Sequence, residues 1–132
     1  MRVKIEEKNS LPLVKYGTVS GEHYALLDTG CDNTLTYFKE EEIEETNVTI
    51  IGLGGNEQNN ARPDHIKFDL NDADSEFGNF DTYYCNAVIV SPKVFKAFEE
   101  NGLPDVEMIL GMNFFKQYQA KIDLENGYLI LK

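Results

Sequence analysis

Four consecutive apolar residues, Tyr24-Ala25-Leu26-Leu27, run directly into Asp28-Thr29-Gly30. A strand with one face in water alternates apolar and polar positions, so an unbroken run predicts a strand buried on both faces. A second run, Met108-Ile109-Leu110, is stopped in the same way by Gly111. A polar turn at the end of a buried strand is a place where a site can be built on a rigid element.

Most of the remaining chain also reads as short strands. Val3–Glu6 and Leu13–Val19 alternate, with Val14, Tyr16 and Thr18 on one face of the latter. Ser20-Gly21 predicts a two-residue hairpin turn into His23–Leu27. Further strands are expected at Thr34–Phe38, Val48–Ile51, Ile66–Leu70 and Tyr83–Val90, where β-branched and aromatic residues concentrate. Ala120–Asp123 and Tyr128–Leu131 predict a closing hairpin that turns at Glu125-Asn126-Gly127, with Asp123 capping the turn.

Two short helices are expected. One is capped by Ser91, opens on Pro92 and ends at Gly102, with Val94, Phe95 and Phe98 as its apolar stripe. The other covers Asn113–Tyr118. The acidic stretch Lys39–Glu45 predicts a solvated helical turn, and Asn56–Arg62 a polar, mobile segment. The aromatics Tyr83, Tyr84, Phe95, Phe98, Phe114, Phe115 and Tyr118 are expected in the core. No repeat, linker or low-complexity tract interrupts the chain, so residues 1–132 are expected to form one mostly-β domain.

Composition narrows the function classes. The chain has 12 Lys and Arg against 23 Asp and Glu, a net charge of −11. That balance repels phosphate backbones and argues against nucleic-acid binding. No apolar run approaches a membrane span, and the N-terminal residues are too charged for a signal peptide. A cytoplasmic location with no membrane partner is therefore expected, with Cys31 and Cys85 reduced. Neither these cysteines nor His23 and His65 have a metal-ligand spacing. The acidic loop after Asp69 departs from a calcium loop: counted from Asp72, Phe77 stands where glycine is needed and Tyr83 where glutamate is needed. No metal and no cofactor are expected.

The chemistry concentrates in Leu26-Leu27-Asp28-Thr29-Gly30-Cys31-Asp32-Asn33-Thr34. A bare Asp-Thr-Gly is a weak signal. Here a buried strand delivers it, a glycine cluster, Ile51-Gly52-Leu53-Gly54-Gly55, follows a strand further on, and Ile109-Leu110-Gly111 precedes a short helix. Together these features resemble the retropepsin-like aspartic proteases, the single-domain relatives of the retroviral enzyme. The resemblance runs from about Leu13 to Leu131. It implies a closed acid-protease-type β-barrel with one or two short helices, expected as a two-fold homodimer.

Peptide hydrolysis without a metal or a nucleophilic side chain needs two carboxylates sharing a proton: one takes a proton from the attacking water while the other polarises the carbonyl. This chain has no second Asp-Thr-Gly or Asp-Ser-Gly. The resemblance therefore implies an endopeptidase whose dyad takes one Asp28 from each chain. The catalytic turn would be Asp28, Thr29 and Gly30, with Gly30 allowing close approach and Thr29 bonding across the dimer interface. Asp32 would help hold substrate backbone, and Gly52, Leu53, Gly54 and Gly55 would form a flap over a bound peptide. The terminal strands Val3–Glu6 and Tyr128–Leu131 would contribute to an interchain sheet. The partners implied are a second copy of the chain and a peptide or protein substrate.

Each position also has a plainer reading. Asp28 and Asp32 could simply cap turns, the glycine cluster could be an ordinary hairpin tip, and Cys31 reads as a small core filler rather than a reactive thiol. The same fold could also serve as a non-catalytic peptide-binding or dimerisation module, or pair with a different aspartate-bearing protein.

Overall fold

The computed structural model describes residues 1–37, 48–50, 57–59 and 61–132, with backbone alone for 48–50 and 57–59. Its strands are β1 (Arg2–Lys4), β2 (Glu6–Lys8), β3 (Leu11–Thr18), β4 (Gly21–Leu27), β5 (Thr34–Thr36), β6 (Val48–Ile50), β7 (Glu57–Asn59), β8 (Ala61–Asn71), β9 (Phe80–Val90), β10 (Val106–Leu110), β11 (Lys121–Asp123) and β12 (Tyr128–Ile130). A 3-10 turn at Pro92–Phe95 leads into α1 (Lys96–Glu100), and α2 spans Met112–Gln117.

Six strands close on themselves in the order β3-β4-β10-β5-β9-β8, the last returning to β3 where Tyr16 meets Leu70 and Gly17 meets Asp69. β4 and β10 are parallel, as are β5 and β9; the other barrel pairs are antiparallel. Closure leaves few open edges on the barrel itself. Outside it, β1, β12 and β11 form a three-stranded sheet in that order.

The unbroken apolar runs are explained by two packed layers. Ala25, Leu27, Met108 and Leu110 join the barrel interior with Val14, Tyr16, Phe68, Ile89 and Phe114. Leu26, Val106 and Ile109 face the other way, against Val94, Phe95 and Phe98. The helical segment after β9 is thus the outer cover of the β4–β10 pair. It is two pieces rather than one helix, because Phe95 (φ −96°, ψ 2°) breaks the helical path. Ser91 caps its start, and Gly102 (φ +80°) ends it in a left-handed turn closed by Gly102 N–H to Glu99 O and Leu103 N–H to Phe98 O.

Several expectations change. β8 extends back to Ala61, which is fully buried, so the end of the stretch expected to be polar and mobile is strand. Pro63 is tolerated because, among the described strands, β8 meets β3 only at Asp69 and Leu70. Tyr84 is 58% exposed, because β9 alternates and turns Tyr83 and Cys85 inward. The terminal strands pair within one chain, Val3 opposite Leu129, with Leu131 N–H bonded to Met1 O at 2.9 Å. The acidic stretch Lys39–Glu45 lies outside the described residues.

Candidate active site

Adjacent strands β4 and β10 end together, Leu27 opposite Leu110, and Asp28 N–H donates to Leu110 O at 3.0 Å. Asp28 therefore leaves the barrel from a strand anchored on both faces. Its Oδ1 accepts the N–H of Gly30 at 2.9 Å, and its carbonyl accepts that of Cys31 at 3.2 Å, folding Asp28–Cys31 into a tight turn. A Cβ at Gly30 would sit 3.2 Å from Asp28 Oδ1, so glycine leaves that oxygen uncrowded. Asp28 is half-buried; Thr29, Gly30 and Asp32 are exposed. The Thr29 hydroxyl has no hydrogen-bond partner among the described residues.

The turn is braced from the far side by the start of α2. Met112 N–H donates to Cys31 O at 2.7 Å and Asn113 N–H to Asp32 O at 3.1 Å. At Gly111 a Cβ would lie 2.6 Å from the Asn33 carbonyl carbon and oxygen, a contact no side chain could make. Asn113 completes the clasp. Its Oδ1 accepts from both Thr34 N–H (2.8 Å) and Thr34 Oγ1 (2.9 Å), and its Nδ2 donates to Asn86 O at 2.6 Å. Thr34 is fully buried, and its Oγ1 also accepts the N–H of Gly111 at 3.2 Å. One amide side chain therefore ties β5, β9 and α2 together behind the Asp28 turn.

Sequence reasoning placed Asn113 only as the start of a helix. The only sequence signal was a polar side chain two residues after Gly111 stops an apolar run, which does not identify its partners. Nearby, Gln117 Nε2 and Tyr118 OH donate to Tyr84 O, at 3.0 and 2.7 Å, so α2 also satisfies the adjoining edge of β9.

The structure separates the other candidates. Cys31 is half-buried against the outer layer, its Sγ donates to Asn33 O at 3.0 Å, and burial pushes its thiol pKa up, all of which fits the core-filler reading. Cys85 is buried and pushed up to about 11, again by burial; both cysteines are free thiols. Asp123 caps its hairpin through Asn126 N–H (3.1 Å) and Nδ2 (2.8 Å). Gly52, Leu53, Gly54 and Gly55 lie outside the described residues. The strands on either side of them, β6 and β7, pair antiparallel with Ile50 opposite Glu57.

A cleft of about 310 Å³ is lined by Lys15, Tyr16, Glu22, Asp69 and Phe80 at the opposite end of β3 and β4 from Asp28. It plays no part in the Asp28 turn. Buried Glu107 pairs with His23 Nδ1 near that far end as well. Among the described residues, no helix is long and apolar enough to cross a membrane.

No family model matches the sequence, and no curated protein matches it. Solved structures do. The retroviral protease-like domain of Ddi1 from Leishmania major aligns with a TM-score of 0.52 at 16% identity, over 95% of this chain and 90% of that one. A retropepsin-like aspartic protease from Rickettsia conorii aligns with a TM-score of 0.53 at 14% identity, over 99% of this chain and 90% of that one. At such identities the likeness speaks for the fold alone, and this chain has the fold of the retropepsin-like protease domains.

Proposed function

We propose that this chain is an aspartic endopeptidase that acts as a homodimer, each copy supplying one Asp28. The observation that carries the reading is the Asp28 turn: a half-buried carboxylate on a strand end, braced by Gly111 and Asn113, in a retropepsin-like fold. A single chain holds one such carboxylate. Two brought together across a two-fold axis would share one proton, because like charges that close do not both ionise. The ionised partner takes a proton from the attacking water while the protonated one donates to the peptide carbonyl oxygen. Collapse of the resulting tetrahedral diol breaks the C–N bond as the leaving nitrogen takes up a proton.

In this reading the free hydroxyl of Thr29 bonds across the interface, Gly30 keeps the approach to the carboxylate open, and Asp32 holds substrate backbone. Gly52, Leu53, Gly54 and Gly55 close over an extended peptide whose side chains occupy alternating pockets. The net charge of −11 favours basic substrates through steering that salt would screen. The competing reading, a non-catalytic binding module, draws on the bond from Gly30 N–H to Asp28 Oδ1, which a purely structural aspartate also makes.

Cleavage of a diverse peptide library between about pH 4 and 7 separates the two. The enzyme reading expects cleavage by the wild type that is lost in Asp28→Asn. Equal cleavage by both would assign the activity elsewhere, and no cleavage by a dimeric wild type would favour the binding module.

A further inference from the structure

The end of β4 away from Asp28 holds a second cluster of reactive side chains, which the proteolytic reading does not use. Its centre is Glu107, a carboxylate buried within a barrel strand. A slip in β10 puts it there. Val106 and Ile109 both face the outer layer although they are three positions apart, and the pairing with β4 shifts register between Val106 and Met108. Such an irregularity re-aims the side chain it carries, here Glu107. A buried charge needs partners. The Tyr37 hydroxyl hydrogen-bonds this carboxylate, and His23 on β4 meets it through Nδ1. The other ring nitrogen, His23 Nε2, lies 3.2 Å from Ser20 Oγ on the exposed turn between β3 and β4. The buried Tyr16 ring packs against the imidazole with centroids 5.5 Å apart.

The carboxylate fixes the direction of every bond in this chain of groups. A carboxylate only accepts, so neutral His23 carries its proton on Nδ1 and leaves Nε2 as an acceptor. Ser20 Oγ–H then donates to Nε2. The Thr18 hydroxyl, 2.8 Å from Ser20 Oγ, donates to that oxygen while it accepts the Ser20 N–H at 3.2 Å. A hydroxyl that donates to an imidazole, itself oriented by a third group, is the arrangement that activates a serine.

We propose that Ser20, His23 and Glu107 form a second reactive site, in which Ser20 is a nucleophile that takes the acyl group of a carboxylic ester. Ser20 Oγ attacks the ester carbonyl carbon as its proton passes to His23 Nε2. The tetrahedral adduct then breaks its bond to the leaving oxygen, which takes the proton from Nε2 and departs as the alcohol. Water adds to the acyl-serine by the same proton route, the carboxylic acid leaves and the Ser20 hydroxyl is restored. His23 is the general base and then the general acid, and Glu107 is a positioning residue that acts through it. Because Ser20 is exposed, water solvates the oxyanion formed on attack, so the site suits esters with a good leaving group. Val19 beside it is fully exposed and offers an apolar contact to a short acyl chain. The seven residues of β4, about 23 Å of strand, separate Ser20 from Asp28. The site lies within one chain, so it rests neither on a second copy nor on the Asp28 dyad.

Acetyl transfer from 4-nitrophenyl acetate tests it, followed by nitrophenolate release and by mass spectrometry of protein quenched in acid during turnover. Wild type should release nitrophenolate and carry an acetyl group that fragmentation places on Ser20. Ser20→Ala should lose that adduct and slow the release by about a hundredfold or more, and His23→Gln should slow it comparably. Ser20 is exposed, so Ser20→Ala should melt with the wild type and its loss of reaction is not a loss of fold. As a readout independent of substitution, nitrogen NMR of the His23 ring in mildly alkaline solution should find the proton on Nδ1, as an orienting carboxylate requires. Acetyl found only on lysines or the N-terminal amine, release undiminished in Ser20→Ala, or a His23 proton on Nε2 would each overturn the site.

Discussion

Replacing the α-hydrogen of Gly111 by a methyl group drives it to 2.6 Å from the Asn33 backbone, and neither side has a flexible group to yield. Gly111→Ala should therefore cost about 3 kcal/mol or more of stability, read from denaturant midpoints, and displace the Asp28 turn. Asn113 is a comparable control point: Asn113→Ala leaves the N–H of buried Thr34 without an acceptor and should cost about 2–3 kcal/mol. Asn113→Asp keeps the acceptor for Thr34 and loses only the donor to Asn86 O, so it should cost less. Gly111 was legible in the sequence as the stop to an apolar run. Asn113 was not, because its side-chain partners Thr34 and Asn86 lie on β5 and β9, far from it in sequence, and only the parallel pairing of those two strands sets them side by side.

At the scale of elements, local patterning was enough where both faces of a strand are covered or where a turn has its own chemistry. β4, β10, the Ser91 cap and the closing hairpin all match the expected positions within a residue or two. The start of β8 was hidden because Ala61, Arg62 and Pro63 are poor strand formers locally, and their pairing with Val88–Val90 is supplied by a distant strand. The outer cover is a firm prediction of the two-layer packing. Phe98 is 4% exposed against Leu26 and Ile109's layer, so Phe98→Ala should cost about 3–5 kcal/mol.

The contact between β1 and the loop after β8, where Arg2 Nε donates to Asp74 Oδ1 at 2.7 Å, gives a pH signature. The Arg2 guanidinium holds the Asp74 carboxyl below its ordinary value of 3.8. A depressed carboxylate pKa contributes stability that is fully present above the unfolded value and is lost as pH falls through the folded one. Asp74→Asn should accordingly melt below the wild type at pH 7, and the gap should close as the pH drops below 3.8.

For the whole molecule, the six-stranded closed barrel provides one Asp28 turn per chain, and catalysis by a shared-proton dyad is a property of two chains. In the two-chain reading, dimer affinity and activity are linked: specific activity should fall on dilution at concentrations where the melting temperature is still unchanged. The pairing of β1 with β12 could not be read from sequence, since the same two strands satisfy either an intrachain or an interchain sheet and only the path of the chain decides between them. The most direct test of the two-chain dyad is a mixing series at constant total protein, wild type with Asp28→Asn, using a peptide the wild type cleaves. If each active site needs both carboxylates and subunits exchange freely, activity follows the square of the wild-type fraction, falling to roughly a quarter when half the chains are substituted. Activity that falls only in proportion to the wild-type fraction would show that one chain suffices, and would contradict the dyad.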